Sequence, residues 1–239
     1  MKAFGMTDIG RMRKNNQDYL YISETSVGNL PNIFIVADGM GGHKAGEVAS
    51  RKAVEMILDS IRNSDKTDPV SIMEEAVEVA NEEIYQMSRD NQELEGMGTT
   101  LVAATVLEQD FYVANIGDSR LYVINDDIHQ ITRDHSFVEE MVSRGELDKE
   151  SARTHAKKNV ITRAVGIESG TCADFFQVRF KPGDKILICS DGLSNMIPDE
   201  NLKIIVRKEL PVEELVNELV YTANHNGGAD NITAIVVEL

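Results

Sequence analysis

The sequence predicts an α+β fold in which helices cover layers of β-sheet. Short runs rich in β-branched and aromatic residues, bounded by turn-forming residues, have the length of strands. Longer segments repeat apolar residues every three to four positions, which is the spacing of an amphipathic helix. Because the helices are grouped instead of alternating with the strands, the pattern favours layered α+β packing over a doubly wound sheet.

The predicted strands lie along most of the chain, at about Asp18–Ser23, Ile33–Ala37, Thr100–Leu107, Phe111–Asn115, Arg120–Ile124, Ala173–Phe180, Lys185–Cys189 and Ile232–Glu238. A first helix is predicted at about Ala45–Ile61, and a second carries one apolar stripe from Val70 to Met87. A last helix begins after Pro211, since proline is favoured at the start of a helix.

The chain has 239 residues, enough for one large domain with a substantial core. No proline-rich, glycine/serine-rich or repeated segment divides it, so we predict one domain over residues 1–239. The stretch from Gly145 to Gly166 is polar, weakly periodic and basic in places. A stretch of this length predicts a surface flap subdomain, because loops of this size are often functional.

The composition excludes several classes of protein. A net charge of −16 argues against nucleic acid as a partner. Cys172 and Cys189 are too few for a disulfide framework, and their spacing does not fit a zinc motif. No apolar stretch approaches the roughly 20 residues that span a bilayer, and the first residues lack the apolar region of a signal peptide. We therefore expect a cytoplasmic protein, a monomer, with no membrane insertion.

Four aspartates lie at the ends of apolar segments: Asp38 in IFIVADGMGGH, Asp118 in YVANIGDSR, Asp191 in KILICSDG and Asp230 in GGADNITAIVVEL. Each is predicted to lie where a buried strand meets a loop. Carboxylates that converge there repel one another unless cations lie between them, and Mg²⁺ or Mn²⁺ prefers such oxygen ligands. Singly, each aspartate could equally be a turn or helix-capping residue. Together they predict a metal site.

Neighbouring residues supply further candidates. The small residues after Asp38 let the backbone approach a ligand closely, so the carbonyl of Gly39 can serve as an oxygen ligand. Arg13 in GRMRKNNQD could grip two phosphate oxygens, although spacing alone does not rank it above the other basic residues of that stretch. Asp18 could orient a metal-bound water. His135 and His155 fit surface or capping histidines better than catalytic ones.

These motifs resemble those of the metal-dependent serine/threonine protein phosphatases of the PPM (type 2C) family, particularly compact bacterial members that oppose Hanks-type kinases. The resemblance runs from about Thr7 to the C-terminus through RMRKNNQD, VADGMGGHKAGEVAS, GMGTT, ANIGDSR, RDHS, KNVITRAVG, CSDGLSN and GGADNIT, in the expected order. It implies a four-layer α-β-β-α sandwich, with a central antiparallel β-sandwich between helices.

The resemblance also implies roles for the candidate residues. Asp38 would bridge two Mn²⁺ or Mg²⁺ ions, with the Gly39 carbonyl on the first ion. Asp191 and Asp230 would complete the ligands of the second ion. Asp118 would hold a third, weaker ion together with Asp191.

The implied reaction is hydrolysis of phosphoserine and phosphothreonine in proteins by direct attack of a metal-bridging hydroxide. Arg13 would bind the substrate phosphate and Asp18 would support metal-bound water. Met40 stands where many eukaryotic members carry a histidine proposed as general acid, and a thioether cannot donate that proton. The expected partners are phosphorylated proteins, including a Hanks-type kinase and its substrates.

Two other functions are compatible with such a fold. One is a catalytically silent module that binds phosphoproteins, against which the retained aspartates argue. The other is a stress-response phosphatase that controls a sigma-factor regulator. Domains of that kind usually belong to longer chains with sensory segments.

Overall fold

The structure is a computed structural model that describes residues 1–42 and 44–239, with the backbone but not the side chain of Lys149. His43, the last residue of DGMGGH, lies outside the described residues. The strands are β1 (Lys2–Asp8), β2 (Asp18–Ser23), β3 (Ile33–Met40), β4 (Gly98–Thr99), β5 (Leu101–Leu107), β6 (Asp110–Ile116), β7 (Arg120–Ile124), β8 (Ile128–Gln130), β9 (Asp174–Arg179), β10 (Lys185–Cys189) and β11 (Ile232–Glu238).

The helices are α1 (Ala45–Asn63), α2 (Pro69–Asp90), α3 (Phe137–Ser143), α4 (Lys149–Thr154), α5 (Asp191–Ser194), α6 (Asp199–Val206) and α7 (Val212–His225). The start of α2 follows directly from its sequence. Asp68 accepts the backbone N–H of Ser71 at 2.8 Å and caps α2, whose first residue is Pro69. In the described chain no helix is long and apolar enough to cross a membrane.

Two antiparallel sheets form the centre of the fold. Over the described residues, one sheet has the order β1-β11-β10-β7-β8, and the other has the order β2-β3-β5-β6-β9 with β4 paired to β3. The two sheets pack face to face through an apolar layer to which both contribute, including Phe34, Val102, Phe111, Leu121 and Ile188. Each inner face is therefore shielded from water by the opposite sheet.

Helices cover both outer faces. Successive residues of β3 alternate between two cores: Ile33 and Ile35 face α1 and α2, while Phe34 and Val36 face the other sheet. On the far side, α6 and α7 cover the first sheet through a separate apolar cluster that includes Leu219. The result is the four-layer α-β-β-α sandwich, as predicted. Burial on both faces explains why these strands are continuous apolar runs.

Several elements differ from the prediction. β1 was not predicted, because Phe4 and Met6 supply only a weak alternating pattern. All its residues nevertheless pair with β11. The helices α3 to α6 were also missed, being four to eight residues long. β3 continues beyond Ala37 through Asp38 to Met40, because its end pairs with β4.

The segment from Gly145 to Gly166 contains α4 and lies against the sandwich at several points. Isolated bridges pair Ser136 with Ile161 and Thr99 with Val165. Arg153 of α4 donates from Nη2 to the carbonyl of Ser194 at 3.1 Å. These contacts place the segment beside the loops that carry the predicted aspartates.

Candidate metal centre

Five aspartates influence one another across the edges of both sheets. Asp18 and Asp38 are direct partners in the β2–β3 register. Burial raises the pKa of Asp38 well above its usual range, and the charges of Asp18, Asp191, Asp118 and Asp230 raise it further. The predicted metal ligands are therefore brought together, although they come from distant parts of the chain.

Threonines of the GMGTT motif hold the backbone of Asp38. Its N–H donates to Oγ1 of Thr100 at 3.0 Å, and its carbonyl accepts from Oγ1 of Thr99 at 2.9 Å and from the N–H of Thr100 at 2.8 Å. Thr100 also contacts the hydroxyl of Ser119 at 2.8 Å, next to Asp118. Thr100 thus links two predicted ligand loops, a role that the repeated hydroxyls of GMGTT could have indicated.

Gly39 lies where β3 and α1 approach most closely. A Cβ at this position would be 2.0 Å from the carbonyl oxygen of Gly46 and 2.7 Å from that of Gln17. Only glycine fits between these backbones. The backbone next to Asp38 is therefore fixed by close packing.

Asp18 joins the two sheets beneath the site. Its Oδ2 accepts from the hydroxyl of Ser190 at 2.8 Å, directly after β10, and from that of Thr233 at 2.6 Å, in β11 of the opposite sheet. Its Oδ1 is buried and has no hydrogen-bond partner among the described residues. Burial raises the pKa of Asp18 to about 7, although the hydrogen bonds from the two hydroxyls oppose this shift. One oxygen is fixed, and the other is unsatisfied.

Asp118 lies in the turn after β6, where Gly117 adopts a φ of +100°. Its side chain is buried, and its Oδ1 likewise lacks a partner within the described chain. Burial and the charge of Asp191 raise its pKa well above the ordinary value, while Arg120 opposes this shift. Such an unsatisfied buried carboxylate costs free energy unless a proton or cation compensates it.

Asp191 begins α5, and Asp230 precedes β11. Asp191 accepts from Nδ2 of Asn195 at 2.9 Å, and burial followed by the charge of Asp230 raises its pKa to about 6. A side-chain hydrogen bond with Asp38 lowers the pKa of Asp191. A Cβ on Gly192 would lie 1.9 Å from the carbonyl oxygen of Asn231, so the two turns are in backbone contact.

Asn231 fixes the loop that carries Arg13. Its Nδ2 donates to the carbonyls of Ile9 at 2.9 Å and Asn15 at 3.0 Å, and its Oδ1 accepts the N–H of Gln17 at 2.8 Å. The loop is thereby tied to the turn that contains Asp230. The resemblance implies a place for Asn231 at the rim of the metal centre, and these three hydrogen bonds are the contacts that it makes there.

Arg13 lies at the same edge and pairs with Asp230, with Nη2 to Oδ2 at 2.6 Å. The guanidinium is half exposed, so it is accessible to a ligand from solution. The structure thus brings the predicted phosphate-binding residue into contact with a predicted metal ligand.

His135 contradicts the prediction of a surface histidine. It is only 7% exposed, and its Nδ1 accepts the N–H of Gly117 at 3.1 Å. Its ring is held between the Asp118 turn and Asp174, whose Oδ2 is 3.2 Å from Nε2. The short motif RDHS carries no apolar periodicity, so burial of this ring depends on tertiary packing.

A cleft of about 350 Å³ adjoins Asp118 and Asp191. Its wall includes Arg153 and Lys158 from the 145–166 segment. At its base lies Arg120, whose Nη2 is 2.6 Å from Oδ2 of Asp134. The cleft is therefore lined by cationic side chains and carboxylates together.

The donor set fits a hard divalent cation. All the candidate ligands are oxygens, and two buried carboxylate oxygens lack partners. Within the described residues, however, no three His, Cys, Asp or Glu side chains form a ready ligand group. Asp230 is turned toward Arg13 and Asp191 toward Asn195. The charges of Asp18, Asp191, Asp118 and Asp230 nevertheless all raise the pKa of Asp38.

The profile of the family described as Protein phosphatase 2C matches residues 11–236. The chain belongs to this family. A curated relative, the serine/threonine phosphatase stp of Listeria innocua, is 39% identical and aligns with all of this chain and 96% of the relative.

Solved structures of phosphatases have the same fold as this protein phosphatase 2C chain. Serine/threonine phosphatase Stp1 of Staphylococcus aureus matches with a TM-score of 0.93 and 35% identity, over 100% of this chain and 94% of that one. The catalytic domain of serine/threonine protein phosphatase PstP, in complex with two manganese ions, matches with a TM-score of 0.86 and 32% identity, over 98% and 96% of the two chains. The α-β-β-α sandwich is thus the architecture shared with these phosphatases.

Proposed function

We propose that this protein is a metal-dependent phosphatase that hydrolyses phosphoserine and phosphothreonine in other proteins. The observation that carries the proposal is the group of aspartates around buried Asp38, whose charges raise its pKa and one of which, Asp230, contacts Arg13. Membership of the protein phosphatase 2C family supports the same reaction. The names of the relatives specify serine and threonine as the phosphorylated residues of those proteins.

Two Mn²⁺ or Mg²⁺ ions would be held by Asp38, Asp191, Asp230 and the carbonyl of Gly39. A third, weaker ion would be held by Asp118 together with Asp191. When bound, such ions neutralise phosphoryl charge and make water a stronger acid. The PstP complex contains two manganese ions, which supports a pair of tightly bound ions in the proposed site.

The chain's own groups bind and orient the reactants. Arg13 offers two parallel N–H donors, which match the spacing of two phosphoryl oxygens. Asp18 has Oδ2 fixed by Ser190 and Thr233, so its unsatisfied Oδ1 can accept a hydrogen bond from a water and orient it. The buried position of Asp18 keeps this acceptor strong, because few other donors compete for it.

The 145–166 segment acts as a flap in this proposal, since it borders the cleft beside Asp118 and Asp191. The substrates are phosphorylated proteins, and a Hanks-type kinase and its targets are the proposed partners. The protein acts as a monomer in the cytoplasm.

The decisive experiment measures phosphate release from phosphoserine and phosphothreonine peptides, with Mn²⁺ or Mg²⁺ titrated from zero. Asp38→Asn and Asp191→Asn should each lower kcat on the order of 10³-fold, because each removes a charge that holds the ions. Asp65→Asn, at an exposed position between α1 and α2, is the matched control and should leave turnover unchanged.

The same titration separates the alternatives. Turnover that persists in chelator, or in Asp38→Asn at wild-type rate, would refute the metal-dependent reaction. Binding of phosphopeptides without phosphate release would identify a silent binding module instead. The ratio of activities with Mn²⁺ and Mg²⁺ identifies the preferred ion.

A further inference from the structure

His135 lies between the Asp118 turn and the end of the flap segment. Its backbone N–H donates to the carbonyl of Gly117 at 2.8 Å, and its own carbonyl accepts the N–H of Thr162 at 2.8 Å. The main chain of His135 therefore contacts both the Asp118 turn and the flap segment. The side chain adds separate contacts, which differ at the two ring nitrogens.

The hydrogen bonds fix the tautomer of the ring. Nδ1 faces the N–H of Gly117 at 3.1 Å, and a backbone N–H can only donate, so this nitrogen carries no proton. Nε2 therefore carries the proton and donates to Oδ2 of Asp174 at 3.2 Å. Oδ1 of Asp174 is bound by Nη1 of Arg163 at 2.6 Å, so the acceptor is itself held in place.

The contacts form a continuous path to a predicted metal ligand. Arg163, at the end of the flap segment, holds Asp174. Asp174 in turn orients the ring of His135. The ring holds Gly117, the residue before Asp118. Gly117 is buried and has a φ of +100°, a conformation that glycine adopts readily. Loss of the ring acceptor would leave this buried N–H unsatisfied and free the turn to move.

We propose that His135 is a positioning residue, which sets the place of the Asp118 carboxylate by accepting the Gly117 N–H through Nδ1. Because its carbonyl also holds Thr162, the flap segment and the Asp118 turn are fixed to one residue. The inference rests on the proposed function only in its last step, the participation of Asp118 in metal binding. The hydrogen-bond pathway itself does not depend on that step.

Two substitutions separate the contacts of the ring. In His135→Asn, the amide oxygen takes the place of Nδ1 and still accepts from Gly117, but the contact with Asp174 is lost. In His135→Gln, the amide nitrogen reaches the place of Nε2 and still donates to Asp174, but the acceptor for Gly117 is lost. His129→Asn, at an exposed position on β8, is the matched control.

The first readout needs no catalysis. Imidazole nitrogen NMR of the wild-type protein should show His135 as the Nε2–H tautomer. Amide hydrogen exchange at Gly117 should be faster in His135→Gln than in the wild type, whereas His135→Asn and His129→Asn should leave it close to wild type. Equal exchange at Gly117 in both His135 variants, or an Nδ1–H tautomer, would overturn the proposal.

The second readout is the Mn²⁺ concentration for half-maximal phosphate release. His135→Gln should raise it by up to about 10-fold, no more than the loss of Asp118 itself, because removing a group that orients a metal ligand weakens metal binding; His135→Asn should stay close to the wild type. A purely structural role would lower the melting temperature of both variants but would leave their Mn²⁺ dependence equal. An inactive wild type would refute the proposed function, but the tautomer and exchange results would still decide the role of His135.

Discussion

Arg13 donates from Nη2 to Oδ2 of Asp230 at 2.6 Å, which joins the predicted phosphate-binding residue to a predicted metal ligand. Both side chains are partly exposed, at 49% for Arg13 and 29% for Asp230, so the pair is screened by water. A phosphate that binds Arg13 through Nη2 competes with Asp230 for this donor. The same exchange frees the Asp230 carboxylate to turn toward a cation.

Substitution of Arg13 tests this exchange. Arg13→Ala should raise KM for phosphopeptides by about 10-fold to 100-fold, because a charge-assisted hydrogen bond contributes about 1.5–3 kcal/mol. Arg13→Lys should recover only part of this, since lysine cannot donate two parallel bonds. Steady-state kinetics measures both effects. Arg62→Ala, which removes a surface ion pair with Asp59, is the control. A change in melting temperature without any change in KM would assign Arg13 a purely structural role.

Asp118→Ala should separate the third ion from the other two. Asp118 is buried and has an unsatisfied Oδ1, so its removal also relieves repulsion within the cluster. We expect the variant to fold, to retain two tight Mn²⁺ sites by calorimetry, and to lose activity at limiting metal by about 10-fold. Activity measured over a Mn²⁺ titration is the test. Dependence on Mn²⁺ identical to that of the wild type would remove Asp118 from the metal centre.

The sequence predicted much of this arrangement because apolar runs and acidic strand ends are local features. Asp118 and Asp191 each follow their strand by two residues, and Asp230 precedes its strand by two. These positions were visible from the pattern alone. The four-layer architecture, in contrast, came from the resemblance. A strand that is buried on both faces is apolar throughout, so its sequence does not show which layers pack on either side of it.

Other features depend on contacts between distant residues and were not visible. Asn231 binds residues more than 200 positions away, and the burial of His135 follows from Asp174 and Gly117. β1 is a strand because β11 offers a complete partner, whereas its own sequence has only weak alternation. In each case tertiary contacts, and not local propensity, determine the conformation.

Gly192 provides a test of the close approach between the Asp191 and Asp230 turns. A Cβ there would lie 1.9 Å from the carbonyl oxygen of Asn231, so Gly192→Ala must push the two turns apart. We expect a loss of about 1–3 kcal/mol in the free energy of unfolding, together with weaker Mn²⁺ binding. Gly42→Ala is the control, because no heavy atom of the described chain lies within 4 Å of its Cβ position. Denaturant unfolding and calorimetry measure the two effects; equal stability of the two variants would contradict this packing.

The aspartate cluster predicts an unusual pH dependence for the protein in chelator. Burial raises the pKa of Asp18 to about 7 and of Asp191 to about 6, and it raises that of Asp38 well above the ordinary 3.8. Between pH 4 and these values the folded protein holds protons that the unfolded chain has released. Its stability must therefore fall as the pH rises through this window.

Asp38→Asn removes one of these charges and lessens the repulsion on the others. In EDTA the variant should be more stable than the wild type by about 1–3 kcal/mol at pH 8, and the difference should shrink toward pH 5, where the carboxyls hold protons. Mn²⁺ should reverse the order at pH 8, because it stabilises only a protein that binds it. Melting temperatures with EDTA and with Mn²⁺ provide the measurement, and Asp65→Asn provides the control. A stability difference independent of pH would show that Asp38 is not part of a coupled acidic cluster.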